Sequence, residues 1–206
     1  MQQLNEIEQD LLAELFNLGM GRAAKSLSIL AKQPVQSSIP RITLEPHQSF
    51  IQNLHNTSMM CCVSQEVRGF FNTNSMLFFP KEQSYELVRL MLNQDFAREM
   101  LVALHEDAIT EIGNVIINAC IGTISNYLKT SFDIDMPVLT YDGPEKFLDD
   151  SVKNGVLLNV GIELSLQHSN ITGYLLFAFG PFSIGDLKQA LGNTVLKMAP
   201  SLVSNV

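Results

Sequence analysis

Sliding this chain along itself by 97 residues lays it over itself without a gap, so its fold must be one that a duplicated plan can build. In that register Asp10 meets Asp107, Glu14 meets Glu111 and Asn17 meets Asn114. Ser28 meets Ser125, Lys32 meets Lys129, Pro40 meets Pro137 and Thr43 meets Thr140. Apolar positions agree too, Leu15 with Ile112, Leu18 with Val115 and Leu27 with Ile124. Matches this dense at one offset mark an internal duplication, with repeats of about 1–96 and 97–206.

Each repeat reads as helix, short strand, hairpin, helix. The leading helices are expected at about 4–32 and 98–129, with Pro34 stopping the first because proline cannot donate the next helical bond. Short extended stretches follow at 39–44 and 136–141. In the second copy Val156, Leu158, Val160, Ile162, Leu164 and Leu166 alternate with polar or small residues. After the turn signal His168-Ser169-Asn170 the alternation resumes at Ile171, Gly173, Leu175, Phe177 and Phe179, which is the period of half-buried strands. The first copy has a noisier equivalent at 59–67, a turn at Arg68-Gly69, and 70–79. Closing helices are expected at about 81–93 and 184–197. Local hairpins favour an antiparallel sheet over a parallel doubly wound one. The expected fold is therefore α+β, with strands of both halves joined about a pseudo-two-fold axis and covered by helices. The stretch between the halves, 94–101, is short and not Gly/Ser- or Pro-rich, which predicts a single domain of two repeats.

Of 206 residues, 46% are hydrophobic, enough for a substantial core. No run of 18 uninterrupted apolar residues occurs, so a membrane span is not expected. Met1 to Asp10 is polar and acidic, unlike a secretory signal. Three cysteines, Cys61, Cys62 and Cys120, do not suit a disulfide framework and fit a reducing cytoplasm. A net charge of −8 argues against nucleic acid as a partner, and Arg22, Lys25 and Lys32 form no basic stripe.

On a helix, residues at i, i+4 and i+7 share a stripe. Asp10, Glu14 and Asn17 thus form a polar ridge roughly 10 Å long, repeated by Asp107, Glu111 and Asn114. Leu11, Leu15 and Leu18, and in the second copy Ala108, Ile112 and Val115, are expected on an adjacent core-facing stripe. An acid-rich face near a helix N-terminus is favoured by the helix dipole and needs no function. An asparagine in a helix interior is a poorer fit, and its recurrence in both copies points to a role. The ridge holds no nucleophile with a base beside it, and an amide is no general base. It can hold a water by donating and accepting at once, as a glutamine does in some GTPases. A glutamate beside it can dock on a partner's cation. Any phosphate, metal and electrophile would come from a bound protein.

The motifs D-L-L-A-E-L-F-N at Asp10–Asn17 and D-A-I-T-E-I-G-N at Asp107–Asn114 resemble the signature of the CheC family of chemotaxis phosphatases. That signature is Asp or Ser, three residues, Glu, two residues, Asn, and the family is related to CheX and to the phosphatase part of the flagellar-switch protein FliY. The passages N-L-G-M-G-R-A-A-K-S-L-S, G-F-F-N-T-N-S-M-L-F-F-P and G-Y-L-L-F-A-F-G-P also look familial, and the resemblance covers nearly the whole chain. It implies a phosphorylated CheY-like response regulator as target and a second possible partner in the receptor deamidase CheD. It implies Glu14, Asn17, Glu111 and Asn114 as catalytic residues, the asparagines orienting water on the aspartyl phosphate and the glutamates pairing with a lysine of the regulator. Asp10 and Asp107 take a supporting or docking role. No cofactor of its own is implied, the Mg2+ being the regulator's. The alternatives are a non-catalytic CheC-like adaptor and a structural part of a flagellar or signalling assembly. Phe16 departs from the expected glycine and would alter docking there, which favours the second copy as the more typical site. Asn118 and Cys120 stand where small residues are commoner. Nothing after Lys197 resembles the additional flagellar-switch domain, which weakens the FliY reading.

Four features carry no functional expectation. His47, His55, His105 and His168 lack ligand spacing and read as surface or turn residues rather than a zinc site. Cys61-Cys62 reads as strand core. Gly19 and Gly21 lie mid-helix, without the lysine and Ser/Thr of a phosphate loop, and suggest close helix packing. Most of the nine methionines sit in core-like patterns.

Overall fold

Helix α1 (Glu6–Ala31) starts where Asn5 closes a capping box, its side chain accepting from the Glu8 amide and its own amide donating to Glu8 Oε2, both at 2.9 Å. The structure, a computed structural model, describes residues 4–46, 49–50, 59–93, 97–147, 156–167, 169–180 and 183–198. His47, His55 and His168 lie outside them. Along α1 the buried residues Leu12, Leu15, Phe16, Gly19, Met20, Ala23 and Leu27 recur at three- and four-residue spacing, as a core-facing stripe requires. The helix ends at Lys32, which adopts left-handed φ/ψ, and the Gln33 amide donates back to Ser28 O at 3.2 Å.

Helix α3 (Arg98–Leu128) ends in the same way. Lys129 is left-handed and the Thr130 amide donates to Ser125 O at 3.1 Å. No proline follows this second helix, where Ser131 aligns with Pro34. The lysine caps therefore account for both ends, and Pro34 is not the common cause. An 18-residue window of α3 reaches a mean hydropathy of 1.3, enough to cross a membrane by length and composition alone. Its Ile109, Ile112, Ile116, Ile117 and Ile121 are instead buried in the core.

The strands are β1 (Gln36–Ser37), β2 (Arg41–Pro46), β3 (Met60–Gly69), β4 (Thr73–Pro80), β5 (Phe132–Ile134), β6 (Val138–Asp142), β7 (Val156–Leu166) and β8 (Ser169–Phe179). They form one antiparallel sheet in the order β1-β7-β8-β4-β3-β5, with β2 also on β7 and β6 also on β3. Each half lends its short strands to the other half's hairpin, and β4 joins β8 at the centre. The register is duplicated as well. Ile42 lies opposite Val160, and their counterparts Leu139 and Val63 lie opposite each other. The Ser38 amide donates to Glu163 O at 3.0 Å, and Asp135 repeats this with Glu66 O at 2.9 Å. The first hairpin turns later than Arg68-Gly69, since β3 runs through Gly69. In the second, Ser169 and Asn170 already belong to β8.

Alternation sorts the strands onto two faces. Cys61, Val63, Leu77, Phe79, Leu158, Leu175 and Phe177 join the main core, to which α1, α2 (Lys81–Leu92), α3 and α4 (Ser183–Met198) all contribute. Met60, Cys62, Met76, Phe78, Leu157 and Leu176 point the other way and pack with Phe50. Adjacent cysteines thus sit buried on opposite faces, and all three are free thiols. Burial pushes Cys61 up to about 11 and Cys120 up to about 12, away from reactivity.

Candidate functional site

Both ridges emerge where the buried stripes of α1 and α3 leave them. Asp10, Glu14, Asp107 and Glu111 are exposed, and Asn17 and Asn114 are half-buried. The core-facing stripe is rotated by about one residue from expectation. Leu15 and Ile112 are fully buried, but Leu11, Ala108 and Val115 are only partly so and Leu18 is half-buried. Leu12, Phe16, Ile109 and Gly113 fill the core instead. Phe16 is therefore no docking residue. It is 0% exposed, with its ring 5.1 Å from that of Phe177. At the matching position a Cβ on Gly113 would come within 2.5 Å of Val63 Cγ1, so α3 lies closer to its strand than any side chain allows.

The second ridge lines a cleft of about 370 Å3 between α3 and the β5–β6 connection, with Asp107, Glu111, Asn114, Gln65, Asn118 and Met136 in its wall. Inside it the Asn114 amide is held by two donors. Gln65 Nε2 reaches Asn114 Oδ1 at 3.2 Å, and Asn118 Nδ2 reaches the same oxygen at 2.6 Å. Both donors also bond backbone carbonyls, Gln65 to Asp135 O at 3.0 Å and Asn118 to Asn114 O at 2.8 Å. A carbonyl oxygen can only accept, so these bonds fix which end of each amide is nitrogen. The Asn114 atom facing both must then be its oxygen. Its two lone pairs are occupied, and the group left for chemistry is the Nδ2 donor pair. The amide presents donors here, not a donor and an acceptor together.

The connection that carries Asp135 is itself tethered. Arg68 Nη1 donates to Asp135 Oδ1 at 2.8 Å, and this bond holds the Asp135 carboxyl below the usual carboxylate range. Sequence reasoning passed over Gln65 and Met136. Gln65 had a signal, as a polar residue at an inward step of the Cys61-Val63-Gln65-Val67 alternation, and it is 3% exposed. Met136 lay in a stretch read only as strand, yet it is 83% exposed beside the cleft.

Among the described residues no group of three or more His, Cys, Asp or Glu side chains could hold a metal ion. His105 is not a surface histidine but a fully buried one. Ser84 donates to Lys81 O, so it accepts from His105 Nε2 at 3.0 Å, and Nδ1 accepts from the Tyr141 hydroxyl at 2.9 Å. The imidazole is thus a satisfied structural group that does not activate Ser84. Gly19 meets the expected close packing, since a Cβ there would lie 2.9 Å from Cys120 Cα, whereas Gly21 has nothing within 4 Å. Close packing does not explain Gly21.

No protein-family model matches the chain. The flagellar motor switch phosphatase FliY of Bacillus subtilis is 25% identical over 167 residues, covering 77% of this chain and 44% of that protein. The chain thus spans under half the length of that curated relative. Among solved structures, Thermotoga maritima FliY superposes with a TM-score of 0.73 at 16% identity, covering 94% of this chain and 100% of that one. FliM from a FliM–SpeE complex of H. pylori gives 0.70 at 11% identity, covering 94% and 99%. A CheX–CheY–BeF3–Mg2+ complex of Borrelia burgdorferi gives 0.50 at 16% identity, covering 79% and 96%. The fold is shared by proteins named FliY, FliM and CheX, so the fold alone does not choose an activity. FliY, which the sequence after Lys197 had seemed to disfavour, is reached by both comparisons. The sequence match to FliY and the fold shared with FliY and CheX agree with the resemblance that the two ridge motifs carry to the CheC/CheX/FliY proteins.

Proposed function

We propose that this chain is a cytoplasmic phosphatase that hydrolyses the aspartyl phosphate of a phosphorylated CheY-like response regulator. The observation that carries this reading is the duplicated ridge, in which an exposed glutamate and a half-buried asparagine sit one helical turn apart on each rigid helix. Glu111, or Glu14 in the first copy, pairs with the lysine beside the regulator's phosphoryl group. One Asn114 Nδ2–H donates to the oxygen of a water and leaves its other lone pair in line with the scissile P–O bond. That water attacks phosphorus, the aspartyl oxygen leaves as carboxylate, and the water's protons depart with dihydrogen phosphate. The Mg2+ that offsets the phosphoryl charge belongs to the regulator, so this chain supplies position and donors rather than a complete site.

Met136 and its counterpart Ile39 support a docking role at the rim. They are 83% and 82% exposed, the two most exposed large apolar side chains among the described residues, and they stand at matching positions of the two repeats. The alternative is a CheC-like adaptor that binds a regulator or CheD without hydrolysis. Phosphate loss from a phosphorylated regulator separates the two. Acceleration by wild type that vanishes in Glu14→Ala/Asn17→Ala/Glu111→Ala/Asn114→Ala supports the phosphatase. Binding without acceleration leaves the adaptor.

A further inference from the structure

The two ridges carry the same three residues but not the same surroundings. Asn114 is bracketed by Gln65 from β3 and Asn118 from α3. In the first copy the residues at those positions are Ile162 and Gly21, neither of which can donate from its side chain. Among the described residues Asn17 makes no side-chain hydrogen bond at all. The backbone frame nevertheless matches: the Ser38 amide bonds Glu163 O as the Asp135 amide bonds Glu66 O. Ser38 holds the chain position whose counterpart, Asp135, offers its carbonyl to Gln65. The two bracketing side chains are missing, and so is the Arg68–Asp135 tether, whose counterparts are Ser165 and Ser38.

We infer that Gln65 and Asn118 are positioning residues that lock the Asn114 amide with its Nδ2 donors outward, so that the second ridge is the working site and the first, without a bracket, contributes little. The inference rests on the phosphatase reading proposed above. Its chemical content is orientation. A free asparagine amide turns about χ2 and presents oxygen about as readily as nitrogen, and an oxygen turned toward a phosphoryl group repels it. Two donors on Oδ1 remove that wrong state. The bracket needs both partners. Gln65 is anchored on Asp135 O, and Asn118 on the backbone of Asn114 itself, so strand and helix each fix one side of the amide.

The test uses Glu14→Ala/Asn17→Ala as background, which leaves the second ridge alone to act. Adding Gln65→Ile and Asn118→Ala should lower kcat by up to about 100-fold, the scale of a misplaced group, while KM for the phosphorylated regulator stays put. In 15N NMR the Asn114 side-chain amide, assigned through Asn114→Ala, should be more ordered than that of Asn17 in wild type, and should loosen in the bracket variant. The reciprocal change, Gly21→Asn with Ile162→Gln in a Glu111→Ala/Asn114→Ala background, should raise kcat at the first ridge. An unchanged kcat in the bracket variant of an active wild type would overturn the inference, as would an Asn114 amide no more ordered than Asn17. A wild type that does not accelerate phosphate loss overturns the functional reading and the inference with it, and the NMR comparison then shows separately whether the bracket exists.

Discussion

Gly19 and Gly21 stand two residues apart on α1 and call for opposite outcomes. A methyl group at Gly19 would meet Cys120 Cα at 2.9 Å, backbone that cannot step aside, so Gly19→Ala should destabilise by about 1–3 kcal/mol. Gly21 faces open space inside a helix, and Gly21→Ala should stabilise by roughly 0.5–1 kcal/mol. Chemical denaturation of the two variants checks both signs. The pair also shows what one sequence conveys about single residues. Two mid-helix glycines look alike until the neighbouring helix is placed, and the same holds for Phe16, whose side chain turns to Phe177 rather than to the surface. The ridge residues themselves were legible, because their spacing and repetition need no tertiary partner. The bracket around Asn114 was not, since Gln65 lies 49 residues away along the chain and on another element.

At the scale of elements, local chemistry decides where helices begin and end. Asn5→Ala removes the capping box of α1 and should cost about 1 kcal/mol. The long helices were legible to within a few residues, while their ends depended on left-handed lysines that propensity does not announce. His105 couples α3 to α2 through Ser84 and to β6 through Tyr141. Burial lowers its pKa below the ordinary value near 6.5. In the unfolded chain it therefore takes up a proton as pH falls through about 6.5, while the folded chain does not until lower pH. Stability should then decline as pH drops below about 6.5 and be unaffected by this group above it. Urea midpoints from pH 7.5 to 5.5 should show that decline, reduced in His105→Gln.

For the whole molecule, the duplication was visible at once, because a single offset aligns both copies. It led to the α+β class and to the joining of both halves in one sheet. Which strand pairs with which was not visible. The exchange of β2 onto β7 and β6 onto β3 is set by long-range pairing, on which hydropathy alternation is silent. The exchange seats each long helix beside a connection donated by the same half as the helix but pinned to the other half's hairpin, and the cleft at the second ridge forms at one such junction. The central claim, that the asparagines of the two ridges drive dephosphorylation of a partner, is tested most directly by first-order phosphate loss from a phosphorylated CheY-like regulator at saturating concentrations of wild type and of Asn17→Ala/Asn114→Ala. The account predicts that wild type speeds the loss and that the double variant, still folded and still binding, leaves the regulator at its own rate. A double variant as fast as wild type would contradict it.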